Sequence, residues 1–473
     1  MLQRKLALAV VLAASGGAQA AGDADLAAIR AQIDEMKKSY EQRIAALEQK
    51  LSQAEAKAER AENKPGEAVS QASAAGAAGT RGGGAGAFNP EISLILDGKY
   101  ASTSRSPGSY RLRGFAPNGG EIAPPARGLS VGETELAISA NVDHLFRGNV
   151  RFSVADEGGS STINTEEASI ETLALPAGLK LKAGRYLSGI GYLNQQHPHS
   201  WDFVDAPLAY KAFWGSRLSN DGVQVKWLAP TPFFLEFGAE AARGANFPGG
   251  ERDKNGSGLG TLFAHVGDDV GLSHAWQAGL SYVRTHARDR RWDDADAFGL
   301  ATANAFTGSS STWGADFVWK WAPNGNATQQ NFKLQAEYFQ RRESGSLAYD
   351  DSTGSHLVGN VSDSYRSRQS GWYAQGVWQF MPRWRLGYRY DALDSGSVRL
   401  GLVDSGVLTA ADFPALAKYR PQRNSLMVDW SPSEFSRVRL QFARDTSRGP
   451  GEADNQFFVQ YIMSLGAHGA HAF

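Results

Sequence analysis

The chain has 473 residues, 48 basic against 49 acidic side chains, no cysteine, 53 glycines, and 12 Trp, 15 Tyr and 23 Phe. Near-neutral charge excludes the basic bias of a nucleic-acid binder, and the missing thiols exclude a disulfide framework, thiolate chemistry and a lipidated cysteine anchor. No apolar run reaches the ~18 residues of a helical membrane span, while a mean hydropathy of −0.37 fits a glycine- and aromatic-rich β-barrel as well as a soluble globule.

Residues 1–20 carry the three parts of a secretory signal peptide: basic Arg4 and Lys5, an apolar stretch Leu6–Ala14, and a small-x-small site at Ala18-Gln19-Ala20. Cleavage there starts the mature chain at Ala21 and sends it out of the cytoplasm. Residues 21–63 then show an apolar seam, Leu26, Ile29, Ile33, Met36, Tyr40, Ile44, Leu47 and Leu51, on a background of Glu, Lys, Gln and Arg. Steps of three and four, with one extra four-residue step, predict a short α-helical coiled coil with a stutter. A single amphipathic helix lying on a surface is the alternative. Residues 64–87 are Gly/Ala/Ser-rich with almost no large side chain to bury, which reads as a flexible linker.

From 88 to 473 the pattern becomes segments of about ten residues alternating apolar and polar, from 90–102 to 454–466, among them 165–175, 273–286, 312–322, 330–343, 369–380 and 383–392. The joins alternate short (176–178, 229–231, 381–382, 431–433) with long (103–128, 187–219, 287–311, 344–368, 393–421). About sixteen strands on that plan predict an all-β transmembrane antiparallel barrel. An even strand number returns both barrel ends to the short-turn rim, which places the coiled coil in the periplasm.

Alternation alone also fits a soluble sandwich; the position of the aromatics separates the two. Trp227 with Phe233, Trp321 with Phe332, Phe380 with Trp384 and Trp430 with Phe435 flank short turns, where a membrane-interface girdle requires them. The last strand holds Phe457, Val459, Tyr461, Met463 and Leu465 on one face, and the same parity reaches the terminal Phe473. Such an ending resembles the signal by which the barrel-assembly machinery recognises its clients.

The stretch GRYLSGIGYLN (184–194), His197-Pro198-His199, WDFVDAPL (201–208) and NDGVQ (220–224) resembles the phosphate-selective porin family, the porin O and P type. The resemblance covers most of 88–473 and leaves the coiled coil outside. It implies a Gram-negative outer-membrane porin, a homotrimer of sixteen-stranded barrels in outer-membrane lipid, whose long third loop folds inward to narrow the pore for small ionic solutes. Here that constriction loop is 187–219, with Tyr192, His197, His199, Trp201, Asp202 and Asp205.

A pore favours anions where Lys or Arg line its neck. Strand parity turns Lys180, Lys182, Lys226, Arg385, Arg389, Arg437 and Arg439 inward, and the loop adds Lys211 and Arg217. Inward Asp97, Glu133, Glu135, Glu236, Glu240, Asp316, Glu337, Asp391 and Asp429 stand against them, so the expectation is general or weakly anion-preferring diffusion. His197 and His199, with Asp202 and Asp205 nearby, could supply N and O donors to Zn²⁺. Loop packing is their default role, and divalent metal uptake or a coiled-coil tether of the outer membrane are the alternative functions. His468 and His471 fall at the periplasmic rim. No catalytic residue is assigned, because no nucleophile elbow or phosphate-cradling loop follows from the strand pattern, and no cofactor is expected.

Overall fold

The computed structural model describes residues 90–117, 121–157, 160–250, 255–350 and 360–466. The expected signal peptide, coiled coil, linker and Phe473 lie outside the described residues.

Seventeen antiparallel strands form one closed sheet: β1 (Glu91–Thr103), β2 (Gly128–Val131), β3 (Thr134–Asn141), β4 (Phe146–Glu157), β5 (Ser160–Thr172), β6 (Leu179–Leu187), β7 (Ser219–Leu228), β8 (Phe234–Ala242), β9 (Leu259–Val270), β10 (His274–Ala295), β11 (Ala301–Trp321), β12 (Asn331–Asp350), β13 (Asn360–Met381), β14 (Trp384–Leu400), β15 (Gln422–Ser433), β16 (Ser436–Asp445) and β17 (Asp454–Gly466). β2 and β3 pair with successive halves of β1, at Gly98–Ala101 and Glu91–Ile95, so they are one stave broken at 132–133 and the barrel has sixteen staves. β17 closes it against β1, from Ser93↔Gly466 to Thr103↔Gln456.

The alternation is inverted relative to a soluble protein. Along β16, Leu440 and Phe442 are 46% and 50% exposed, while Arg439 and Gln441, which alternate with them, are 0% and 1% exposed. β11 repeats this, with Trp313 and Phe317 outside and Asp316 and Val318 buried inside. Large apolar side chains facing out over a polar interior require lipid as the outer solvent. Trp384 stacks on Trp430 at 5.9 Å and Trp319 meets Phe332 at 5.9 Å beside the short turns. A second aromatic level stands higher, where Tyr282 packs on Trp313 at 4.6 Å and Trp372 on Tyr390 at 5.4 Å. Eight residues of β11 separate Trp313 from Trp321, about 26 Å along the strand and about 20 Å vertically after tilt, close to the height of an apolar band.

Two expected long loops are mostly strand. β10 and β11 run on through 287–295 and 301–311, leaving a connection of only 296–300, and β12 and β13 likewise absorb most of 344–368. Above the upper aromatic level the outer face becomes small or polar, as at Thr307, Ser309 and Ser311, so these staves continue out of the bilayer without the apolar outer face that marks a membrane strand in sequence. Their inner face carries Phe306, Leu347, Tyr349 and Tyr365, and Leu402, Leu408, Phe413 and Leu416 of the 401–421 connection pack onto it.

Lipid on the outside has a measurable consequence. Leu440→Arg, near mid-band, should destabilise the barrel by about 2–4 kcal/mol in urea unfolding from lipid vesicles, whereas Leu272→Arg in the 271–273 turn should cost about 0–1 kcal/mol. Equal effects at the two positions would contradict the placement of the band.

Candidate functional site

The connection from β6 to β7 folds into the barrel and crosses it. Its two stems are stapled by Asn194, whose side-chain amide donates to the Ser188 and Leu218 carbonyls at 2.8 and 3.0 Å and accepts from the Leu218 N–H at 2.7 Å. Two glycines of the GRYLSGIGYLN stretch are there for steric reasons. Gly191 sits at φ +58°, where a Cβ would lie 2.2 Å from Glu337 Oε2, and at Gly189 a Cβ would lie 2.3 Å from the Phe263 ring. Glu337, on β12, uses that room to accept from the N–H groups of Leu193 (3.0 Å) and Tyr192 (3.3 Å) and from the hydroxyls of Tyr210 (2.8 Å) and Tyr373 (2.6 Å). Helix α1 (Leu208–Trp214) follows, entirely buried, with Tyr210, Phe213 and Trp214 around Phe339.

The two aspartates of WDFVDAPL anchor the far side. Asp202 accepts from Arg385 at 3.0 Å and Gln375 at 3.0 Å and pairs with Lys333 at 2.5 Å. Asp205 accepts from Arg389 at 2.9 Å, Lys211 at 3.0 Å, Gln441 at 3.2 Å and also Arg423. Trp201 gives its carbonyl to Arg439 at 2.7 Å and Arg437 at 3.4 Å. Burial alone would raise both aspartate pKa values, but Lys333 and Arg385 outweigh it at Asp202, and Arg423, Lys211 and Arg389 at Asp205, so both carboxyls stay well below the usual range. At Lys211 burial prevails over Asp205 and lowers the ammonium pKa.

The near side has the opposite polarity. Arg217 donates to Glu133 at 2.7 Å and Glu166 at 3.1 Å. His197 contacts Glu166 at 3.2 Å and Glu167 at 2.7 Å, and His199 contacts Glu135 at 2.9 Å. The loop therefore carries acids to the basic wall of β12–β16 and basic groups to the acidic residues of β3, β5 and Glu133.

The basic residues expected inside divide by role. Arg389, Arg439 and Lys211 are 1%, 0% and 2% exposed and hold the loop; they are not on an open wall. The expected grouping of His197 and His199 with Asp202 and Asp205 is also corrected, since the histidines turn to Glu135, Glu166 and Glu167 on the other side. Lys182 and Lys226 remain at open space, in a cavity of about 660 Å³ that reaches the short-turn rim at Glu91 and Arg147. Lys180 pairs with Glu171 at 3.0 Å near that rim. Arg385 and Arg437 border a second cavity of about 630 Å³ beside the 271–273 turn, and Tyr192, Gln196 and Ser200 of the loop line both. Sequence reasoning missed Arg423, although its inward parity with Asp429 on β15 was available, and it missed the clamping roles of Glu337 and Asn194.

No family model matches the chain. An uncharacterized protein of Aquifex aeolicus (strain VF5) is 31% identical over 412 residues, covering 82% of this chain and 80% of that protein. The chain belongs to the family of that protein. Among solved structures it is similar to OmpT, an outer membrane protein of Vibrio cholerae, in its trimer form (12% identity, 80% of this chain and 99% of that one, TM-score 0.47). It is similar also to an anion-selective porin from Comamonas acidovorans (12%, 80% and 100%, TM-score 0.45) and to the outer membrane channel DcaP of Acinetobacter baumannii (11%, 80% and 97%, TM-score 0.45).

The anchoring is testable by proteolysis. Because the folded pKa values of Asp202 and Asp205 are depressed, their contribution is present above the ordinary Asp pKa of about 3.9 and is lost only as pH falls through the lower folded values. Pepsin at about pH 4 should therefore leave 188–218 uncut. Asp205→Asn leaves Arg389, Arg423 and Lys211 short of their counter-charge, a loss of about 3–5 kcal/mol, and should expose the loop to cleavage under the same conditions. A wild-type loop cut as fast as the variant would refute the anchor.

Proposed function

We propose that this chain is an outer-membrane channel of a Gram-negative bacterium through which small hydrophilic solutes diffuse passively, with a preference for anions, phosphate included. The observation that carries the reading is the inward loop and the charge it leaves exposed beneath it. The 630 Å³ cavity is bordered by four cations, Lys320, Lys333, Arg385 and Arg437, against two carboxylates, Asp202 and Asp269. Charges around the 660 Å³ cavity are balanced, Arg147, Arg151, Lys182 and Lys226 facing Glu91, Glu167, Glu171 and Glu236. The excess is local, so the preference is modest and the basic side is where an anion is retained.

The loop sets the aperture. It is held by ion pairs to the basic wall and by buried hydrogen bonds to Glu337, a rigid arrangement that fixes a constriction without a moving part. The homotrimer and phosphate as solute rest on the resemblance to phosphate-selective porins in residues 184–224. In this reading the mature N-terminal coiled coil stands in the periplasm, and Phe473 serves recognition by the assembly machinery.

Planar-bilayer recording tests the proposal. Refolded protein should give discrete conductance steps and, in a KCl gradient, a reversal potential of anion-selective sign. Replacing Lys320 and Arg437 together by alanine should reduce the anion-to-cation permeability ratio by about twofold or more. Absence of steps from a folded, heat-modifiable barrel, or cation preference, would overturn it.

A further inference from the structure

The acidic side of the loop contains more negative charge than its guanidiniums neutralise. Among the described residues, the guanidiniums that pair with Glu133, Glu135, Glu166 and Glu167 are those of Arg151, with Glu135 at 2.7 Å and Glu167 at 3.7 Å, and Arg217, with Glu133 at 2.7 Å and Glu166 at 3.1 Å. The remaining contacts to these glutamates are from the imidazoles of His197 and His199, at 2.7–3.5 Å from Glu135, Glu166 and Glu167. Carboxylates gathered around two imidazoles are matched by protons on the rings or by a divalent ion held between them.

The donor geometry favours an ion. Nδ1 of His197 lies 3.2 Å from Glu166 Oε2 and 3.5 Å from Glu135 Oε2, and the three donor atoms all fall within 4.8 Å of one another. Ligands about 2.0–2.2 Å from a tetrahedral Zn²⁺ stand about 3.3 Å apart, so the His197 contacts already have the spacing of a coordination shell. The imidazole is also oriented as a ligand. Its other nitrogen, Nε2, sits 2.7 Å from Glu167 Oε1; donating there, it leaves the Nδ1 lone pair facing the two carboxylates, the carboxylate–histidine arrangement that supports metal ligands. His199 Nδ1, 2.9 Å from Glu135 Oε1, fixes the second ligand in the same way.

We infer that Glu135, Glu166 and His197 form a binding site for a divalent transition-metal ion of the Zn²⁺ class, with Glu167 and His199 as positioning residues. One imidazole nitrogen with carboxylate oxygens is a donor set suited to Zn²⁺, Co²⁺ or Mn²⁺ and poor for Ca²⁺. The site is reachable, because His197 and His199 border the 660 Å³ cavity that opens at the short-turn rim. Arg217 is the competitor: its Nη1 lies 3.3 Å from the same His197 Nδ1 and 3.3 Å from the same Glu166 oxygen. Metal entry displaces that one hydrogen-bonding arm while the Arg217–Glu133 contact remains.

The test is direct metal binding, and it does not depend on conduction. Full-length refolded protein carrying His468→Ala and His471→Ala, which removes the histidines near the terminus, is titrated with Zn²⁺ by calorimetry and with Co²⁺ by visible absorption. One Zn²⁺ per chain is expected. His197→Ala and Glu166→Gln should each weaken it by at least tenfold, Glu167→Gln by about 10-fold, and Arg217→Gln should tighten it. Each variant is checked for heat-modifiable mobility, so that a misfolded barrel is not read as a lost ligand. Should His197→Ala fail to fold, the opposite signs expected for Glu167→Gln and Arg217→Gln carry the decision. No stoichiometric Zn²⁺ binding to the parent, or binding unmoved by these substitutions, would overturn the site.

Discussion

Hydrogen bonding of the backbone is the constraint from which the rest of this structure follows. Lipid offers no partners to a peptide group, so a sheet exposed to it must close on itself. Here closure rests on the register between β1 and β17, eleven residue pairs from Ser93↔Gly466 to Thr103↔Gln456. Once the wall is closed and its outside is apolar, the polar half of each strand is confined to the interior. Anything that enters must match it. The β6–β7 connection does so residue by residue, and Tyr210, Phe213 and Trp214 of its helix collect around Phe339.

The ion pairs that hold the loop are buried, and buried pairs recover their desolvation cost only when every lone pair and proton is used. Asp205 meets that condition: four side chains donate to one carboxylate. A well-packed apolar contact could give comparable stability, but it would not fix which residue lies against which strand. Opposite charges on the two sides of the loop determine its direction across the lumen, because reversal would bring Asp202 and Asp205 to Glu135 and Glu166. Electrostatic pairing here specifies orientation more than it adds to stability.

Much of this was legible in the sequence. The staves within the bilayer alternate cleanly because each face meets a different solvent, so parity placed Arg389, Arg439 and Gln441 inside and Leu440 and Phe442 outside without ambiguity. The extensions of β10–β13 were not legible, since beyond the membrane the outer face is no longer apolar and the few apolar residues lie on the inner face, as Phe306, Leu347 and Tyr349 do. Parity also could not tell an open wall from an occupied one. Arg389 and Arg385 have the same sequence pattern, yet the first is sealed beneath Asp205 and Phe203 and the second borders a cavity. That distinction depends on where a distant loop lands, which no local pattern encodes. His197 and His199 were singled out by spacing, but their partners on β3 and β5 come from the crossing itself.

The uneven height of the wall gives the mouth a direction. β10 to β13 are 22, 21, 20 and 22 residues long, whereas β6, β7 and β8 have 9, 10 and 9. The barrel is thus cut obliquely, a tall screen lined by the 401–421 connection on one flank and a low sill where the crossing loop departs on the other. The strand wall around the crossing loop is therefore an asymmetric collar, with β-sheet screening one flank of the lumen well above the level at which it ends on the other.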